Sequence, residues 1–425
     1  YADLLCTVDG LKAFHARRVA LQLVPDWPLL SVPMQTASLD QETQAHEVAV
    51  VDGFRFDQGS LLACATGRPS QAFGPIYQRF DGPMRVARLP SPPYLFISRI
   101  SAVHGAIGVM QAGAKVVAEY DLPESVWYLD QNGCRRMPFA VLLEAALQPC
   151  GWLSSYVGSA LTIDSELGFR NLDGEGTVLA ELSGGDGILR TEVELTAVSA
   201  TAGMIIETFV VRCWLGEREV YTLRTVFGFF PPAALAAQAG LPITAPHREL
   251  LQRPGNLDID LRAQPAAFFA HRTLHLAGPM LRMIDRIEGI WPDAGSAGLG
   301  QLRAVKDVNI DEWFFKAHFF QDPVQPGSLG LEAMLQSLQA FLIHQRAAAD
   351  MYAPRFETIA LGKTHQWKYR GQVLPHHRQV HTTLEISERG VDEHGIYAIA
   401  NASLWADGQR IYEASGLGVR IVSAV

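Results

Sequence analysis

Cysteine is scarce: Cys6, Cys64, Cys134, Cys150 and Cys213 are the five in 425 residues. The number is odd, and no two of them form a C-x-x-C pair. A disulfide framework and a thiolate zinc site are therefore not expected, and a reducing compartment, the cytoplasm, is. Basic residues are outnumbered, 35 against 44 acidic ones, for a formal charge of -9. No basic stripe is on offer to nucleic acid. No apolar run is long enough to span a bilayer, and no charged-then-apolar leader opens the chain. The chain begins at Tyr1 rather than an initiator Met, so a fragment of something longer is expected.

What is present is a globular composition, 48% hydrophobic and 19% charged, long enough for two or three domains. The sequence also repeats itself. Pro92-Pro93-Tyr94-Leu95-Phe96-Ile97-Ser98-Arg99-Ile100 parallels Pro279-Met280-Leu281-Arg282-Met283-Ile284-Asp285-Arg286-Ile287, with Arg99 and Arg286 187 positions apart. Leu143-Glu144-Ala145-Ala146-Leu147-Gln148 matches Leu331-Glu332-Ala333-Met334-Leu335-Gln336 at an offset of 188, which Pro138 and Pro326 share; Trp127 and Trp313 show 186. Chance similarity would not hold that spacing, so two copies of one domain are expected.

Each copy carries one strongly apolar helix followed by strand-like runs. In the second, Leu329, Leu331, Met334, Leu335, Leu338, Phe341 and Leu342 cover most of a helix over 328–344, which should be buried on nearly all sides. Strands are expected at 380–386, 397–405 and 410–421, with Asp407-Gly408 as a hairpin turn, and in the first copy at 189–195, 204–214 and 219–230. A buried helix wrapped by an antiparallel sheet is the hot-dog arrangement, so an α+β tandem hot-dog is the expected fold. The boundaries read as 1–88 for an N-terminal hairpin and linker region, 89–231 for the first hot-dog, 232–274 for a linker and 275–425 for the second. Residues 25–88 and 232–275, rich in Pro, Ala and Gly, suggest linkers with short structured pieces. Asp9-Gly10, Phe14, Ala16, Leu21 and Leu23 echo Asp407-Gly408, Tyr412, Ala414, Val419 and Ile421. That echo fits a closing hairpin of a preceding domain or a generic Asp-Gly turn equally well.

Chemistry concentrates in Trp313-Phe314-Phe315-Lys316-Ala317-His318-Phe319-Phe320-Gln321-Asp322-Pro323-Val324-Gln325-Pro326-Gly327-Ser328-Leu329-Gly330-Leu331-Glu332. A helix N-terminus offers unpaired N–H groups to a carbonyl gaining negative charge, and Gly327 allows close approach to them. A carboxyl on an apolar helix resists ionising and can act as an acid; a His among aromatics stays neutral and can act as a base. Alone, His318 fits a core residue and Glu332 a helix-start charge. Together with the Pro-Gly helix start they are far more specific.

The segment resembles the active-site signature of the bacterial beta-hydroxydecanoyl-acyl-carrier-protein dehydratase/isomerase family. Three further blocks agree: Gly278-Pro279-Met280-Leu281-Arg282-Met283-Ile284-Asp285-Arg286, Gly371-Gln372-Val373-Leu374-Pro375 and Ala406-Asp407-Gly408-Gln409-Arg410-Ile411-Tyr412. The resemblance covers roughly 275–425; the first copy is similar in outline. Cys64-Ala65-Thr66-Gly67-Arg68-Pro69-Ser70 and Phe73-Gly74-Pro75-Ile76-Tyr77-Gln78-Arg79-Phe80-Asp81-Gly82 look like the linker in dehydratase regions of polyunsaturated-fatty-acid synthases.

The resemblance implies dehydration of a 3-hydroxyacyl thioester carried on the phosphopantetheine arm of an acyl carrier protein. No metal or other cofactor is implied, and His376, His377 and His381 read as solvated surface. Carrier protein and other synthase domains are the implied partners, with homodimerisation open. Family sites combine a His from one hot-dog with an acid from the other, which would pair His318 with Glu144, next to the Gly327 N–H. Glu332 would then face the first copy's counterpart of His318, which is Asp130 or Asn132 depending on the offset used. The acid is Glu where isomerising members carry Asp, which puts double-bond isomerisation in doubt. A hot-dog thioesterase and a non-catalytic carrier-docking scaffold remain open alternatives.

Overall fold

A computed structural model describes residues 2–8, 11–19, 47–271 and 273–423. Its two copies run through the same elements in the same order. In the first, β1 (Arg99–His104) and β2 (Lys115–Asp121) lead through a short helix, α1 (Trp127–Gln131), into a long one, α2 (Phe139–Tyr156). Then come β3 (Gly168–Val178), β4 (Ile188–Thr201), β5 (Met204–Leu215) and β6 (Arg218–Phe230). The second copy has β7 (Arg286–Trp291), β8 (Gln301–Asp307), α3 (Trp313–Ala317) and α4 (Gly327–His344). It closes with β9 (Thr364–Tyr369), β10 (Gln379–Val391), β11 (Ile396–Ala406) and β12 (Gln409–Ser423).

Burial explains why these segments take their form. Along β5 and β9 buried and more exposed residues alternate, as one-faced strands require. Helices α2 and α4 bury nearly every residue, including all seven apolar positions singled out for α4. The β11–β12 hairpin turns at Asp407-Gly408, both in the left-handed region at φ 45° and 87°, as a tight two-residue turn demands. The strand order is β1-β2-β4-β5-β6-β3 in the first copy and β7-β8-β10-β11-β12-β9 in the second. Each sheet wraps its long helix, so the chain is an α+β double hot-dog.

Strands β3 and β9 pair antiparallel and merge the two sheets into one. Their register places Thr177 opposite Thr364, hydroxyl to hydroxyl at 2.9 Å. These two residues are one repeat offset apart, so a local two-fold axis passes between them. Trp127 and Trp313 meet across the same axis with ring centroids 5.2 Å apart.

The stretch expected as a linker before the first hot-dog is more built than its composition suggests. Asp57 caps a helix at Gln58–Thr66 by accepting from the N–H groups of Gly59 and Ser60. Phe56 and Phe73 pack on Trp152, and Tyr77 Oη donates to the Ser155 carbonyl at 2.5 Å. The segment is therefore a lid on the C-terminal half of α2. Its apolar residues follow several short turns rather than one period, which hides it in the sequence. The second linker is likewise tied down: Arg303 on β8 donates to the carbonyls of Leu250, Leu251 and Arg253.

At the N-terminus, Ala2–Val8 and Leu11–Val19 pair antiparallel as a separate two-stranded sheet. The Asp9-Gly10 turn, with Leu21 and Leu23, lies outside the described residues. All five cysteines are free. Among the described residues no helix is long and apolar enough to cross a membrane.

Candidate active site

The repeat is visible atom by atom around the two helical carboxyls. Gln148, one turn after Glu144, donates to its Oε2 at 3.2 Å and to the Tyr94 carbonyl at 2.8 Å, and accepts from the Phe96 N–H. Gln336 does the same for Glu332, with the Leu281 carbonyl and the Met283 N–H. Burial pushes both carboxyls up to about 7, so proton affinity does not tell them apart. Their surroundings do.

Glu144 lines a cavity of about 90 Å³ together with His318, Gln325, Gly327 and Ser328. Ser328 Oγ donates to Glu144 Oε1 at 2.7 Å, and Tyr94 Oη lies 2.9 Å from that hydroxyl on its other side. His318 caps the end of α3, its N–H bonded to the Phe314 carbonyl. Its Nδ1 lies 3.0 Å from the Val324 carbonyl, an acceptor only, so Nδ1 carries the proton and Nε2 keeps its lone pair. Burial above all, helped by the Arg170 guanidinium, lowers the imidazole to about 3, so it is neutral at physiological pH. The N–H groups of Gly327 and Ser328 open α4 and have no intrahelical acceptor.

The two offsets for the counterpart of His318 resolve to Asn132. Asn132 ends α1 as His318 ends α3, and its N–H bonds to the Tyr128 carbonyl. Immediately before each cap the crossing bonds also match: Gly278 N–H to the Gln131 carbonyl, Ser91 N–H to the Ala317 carbonyl. The loop from cap to long helix is two residues longer after His318, which is why the offset grows from 186 to 188. Asp130 sits inside α1 instead.

The site around Glu332 is closed. Phe139 stands where α4 has Gly327, Ala140 where it has Ser328. The Phe139 ring is fully buried, edge-on to His365 at 4.8 Å and to Tyr221 at 6.1 Å. Glu332 takes the Ala140 N–H rather than a hydroxyl. Glu332 therefore lies apart from the cavity that holds His318, Glu144 and Gly327.

Three contributors escape the sequence. Ser328 reaches Glu144 across 184 positions and Tyr94 reaches Ser328 across 234; both stand in blocks the sequence singles out, but nothing there marks these contacts. Arg170 on β3 grips Asp322 in the His318 loop through two hydrogen bonds of 2.7 and 2.9 Å, and its Nε donates to Gln372. The first hot-dog thus positions the loop of the second. Arg170→Met should lower kcat by about 10²-fold by letting that loop drift. Hydrogen exchange should then quicken at residues 319–322 but not along β3 and β9; unchanged exchange in the loop would refute the clamp.

His381, expected at the solvated surface, is instead partly buried, and its Nε2 lies 3.9 Å from Glu288. No group of metal-ligating side chains occurs among the described residues.

A tandem hot-dog with one open acid–base cavity and one closed counterpart is the class that this geometry defines. Residues 276–415, which make up most of the second hot-dog, match the family model of the FabA-like domain. One of the subunits of the polyunsaturated fatty acid synthase of Thraustochytrium sp. (strain ATCC 26185 / S-3) is 30% identical over 396 residues, covering 87% of this chain. The chain spans only 26% of that relative's length. Similar solved structures include the dehydratase domain from the CurJ module of curacin polyketide synthase, 13% identical with a TM-score of 0.42, covering 76% of this chain and 96% of that one. A putative oleoyl thioesterase from Lactobacillus plantarum is 9% identical with a TM-score of 0.42, covering 73% of this chain and 98% of that one.

Proposed function

We propose that the chain is a hydro-lyase that dehydrates 3-hydroxyacyl thioesters to 2-enoyl thioesters, its substrate held on the phosphopantetheine arm of an acyl carrier protein within a multidomain lipid synthase. One observation carries this reading: a neutral imidazole, a carboxyl whose hold on its proton burial strengthens and an unpaired helix N-terminus share one cavity. His318 Nε2 takes the C2 proton. The Gly327 N–H polarises the thioester carbonyl as charge develops on it. The C3–O bond breaks as Glu144 gives its proton to the departing hydroxyl, which leaves as water. The imidazolium then returns a proton to the carboxylate through solvent, restoring both groups. No cofactor takes part.

Mass spectrometry of a 3-hydroxyhexanoyl pantetheine thioester incubated with the protein should show loss of one water and retention of the thioester. Release of the free acid would replace this reading with a thioesterase. An unchanged substrate, with carrier protein still bound, would replace it with a docking scaffold.

A further inference from the structure

Gln325 is the one polar residue of the Val324-Gln325-Pro326 run that leads into α4, and it is only 4% exposed. Its backbone is spoken for: the N–H bonds to the Val373 carbonyl at 3.0 Å. Its side-chain amide has no hydrogen-bond partner among the described residues. Neither amide atom is among the fully buried polar atoms left without a partner, so the side chain meets open space rather than a sealed core. Gln325 also lines the cavity shared by His318, Glu144 and Gly327.

The closed site supplies the control. One repeat offset back, the same position is Met137, whose N–H bonds to the Leu182 carbonyl at 2.9 Å. The backbone geometry is therefore shared, and the copy whose cavity is filled by Phe139 carries an apolar side chain there. The fold therefore does not need an amide at this point.

We propose that the Gln325 side-chain amide is a substrate-contacting residue, donating to the thioester carbonyl oxygen beside the Gly327 N–H. Gln325 stands two residues ahead of Gly327, and both line the cavity. A second donor on that oxygen strengthens as the C2 proton leaves and negative charge gathers there. The amide's missing partner is then the substrate itself. This rests on the dehydratase reading for its catalytic consequence, though not for the contact.

Gln325→Leu and Gln325→Met, the second importing the residue of the closed copy, test it by three readouts. Turnover of 3-hydroxyhexanoyl pantetheine should fall about 10²-fold in kcat with a smaller change in KM. The melting temperature of the free protein should hold, because the Gln325 side chain gives up no hydrogen bond within the protein. The melting shift induced by hexanoyl pantetheine, which cannot be dehydrated, should shrink. Wild-type kinetics in both variants would overturn the proposal, and so would lost turnover with a lowered melting temperature, the mark of a structural role. Should wild type itself fail to dehydrate, the dehydratase reading falls alone. Survival or loss of the hexanoyl-induced shift in the variants would still decide the contact.

Discussion

His318→Asn should leave a folded protein that no longer dehydrates, with a rate lower by about 10²–10⁴-fold, the range that general acid–base groups supply. Asparagine is the informative replacement because the first copy carries it at the matching place, where Asn132 Nδ2 donates to the Arg136 carbonyl at 2.8 Å. The Val324 carbonyl, now served by His318 Nδ1, would keep a donor, so the loop should hold its course. His318→Ala removes the donor as well and should show the same loss of rate with a modest fall in melting temperature. Steady-state dehydration of a 3-hydroxyacyl pantetheine thioester reads both. A near-wild-type rate in either variant would take the imidazole out of the chemistry.

The second large effect is an asymmetry. Glu144→Gln should lose about 10²–10⁴-fold, while Glu332→Gln keeps the wild-type rate. Burial lifts both carboxyls to about 7, yet only Glu144 borders the cavity with His318. The pH profile separates them further. An acid must be protonated to donate, so activity should decline as pH rises through about 7, where Glu144 ionises. The imidazole, lowered to about 3, stays neutral throughout that range and adds no limb there. The alkaline decline should persist unchanged in Glu332→Gln. Equal losses in the two variants would mean that the closed site also turns over, against the packing of Phe139.

The fold is legible because it is written twice. A constant offset needs no knowledge of packing, and the apolar cylinder of α4 announces a buried helix on its own. The β1–β2 and β7–β8 pairs and the joining strand β9 are harder to see, since each strand has only six or seven residues. At the site, His318, Gly327 and the two glutamates stand in one contiguous block and its echo. Choosing between Asp130 and Asn132 requires knowing on which side of the offset change each lies, and only the helix caps show that. Arg170 carries no signal at all: its partner is 152 positions away, and a lone arginine on a strand is unremarked in any pattern. Gln325 is different. Laying Val324-Gln325-Pro326-Gly327 over Arg136-Met137-Pro138-Phe139 exposes every change at the helix start.

The antiparallel seam between β3 and β9 has a consequence for how such a molecule can vary. Two identical subunits related by that axis would share every substitution, so filling one site would fill both. Joining the halves in one chain removes that constraint, and Phe139 opposite Gly327 records its removal. The price is number: one open acid–base cavity per chain, where two identical subunits would hold two.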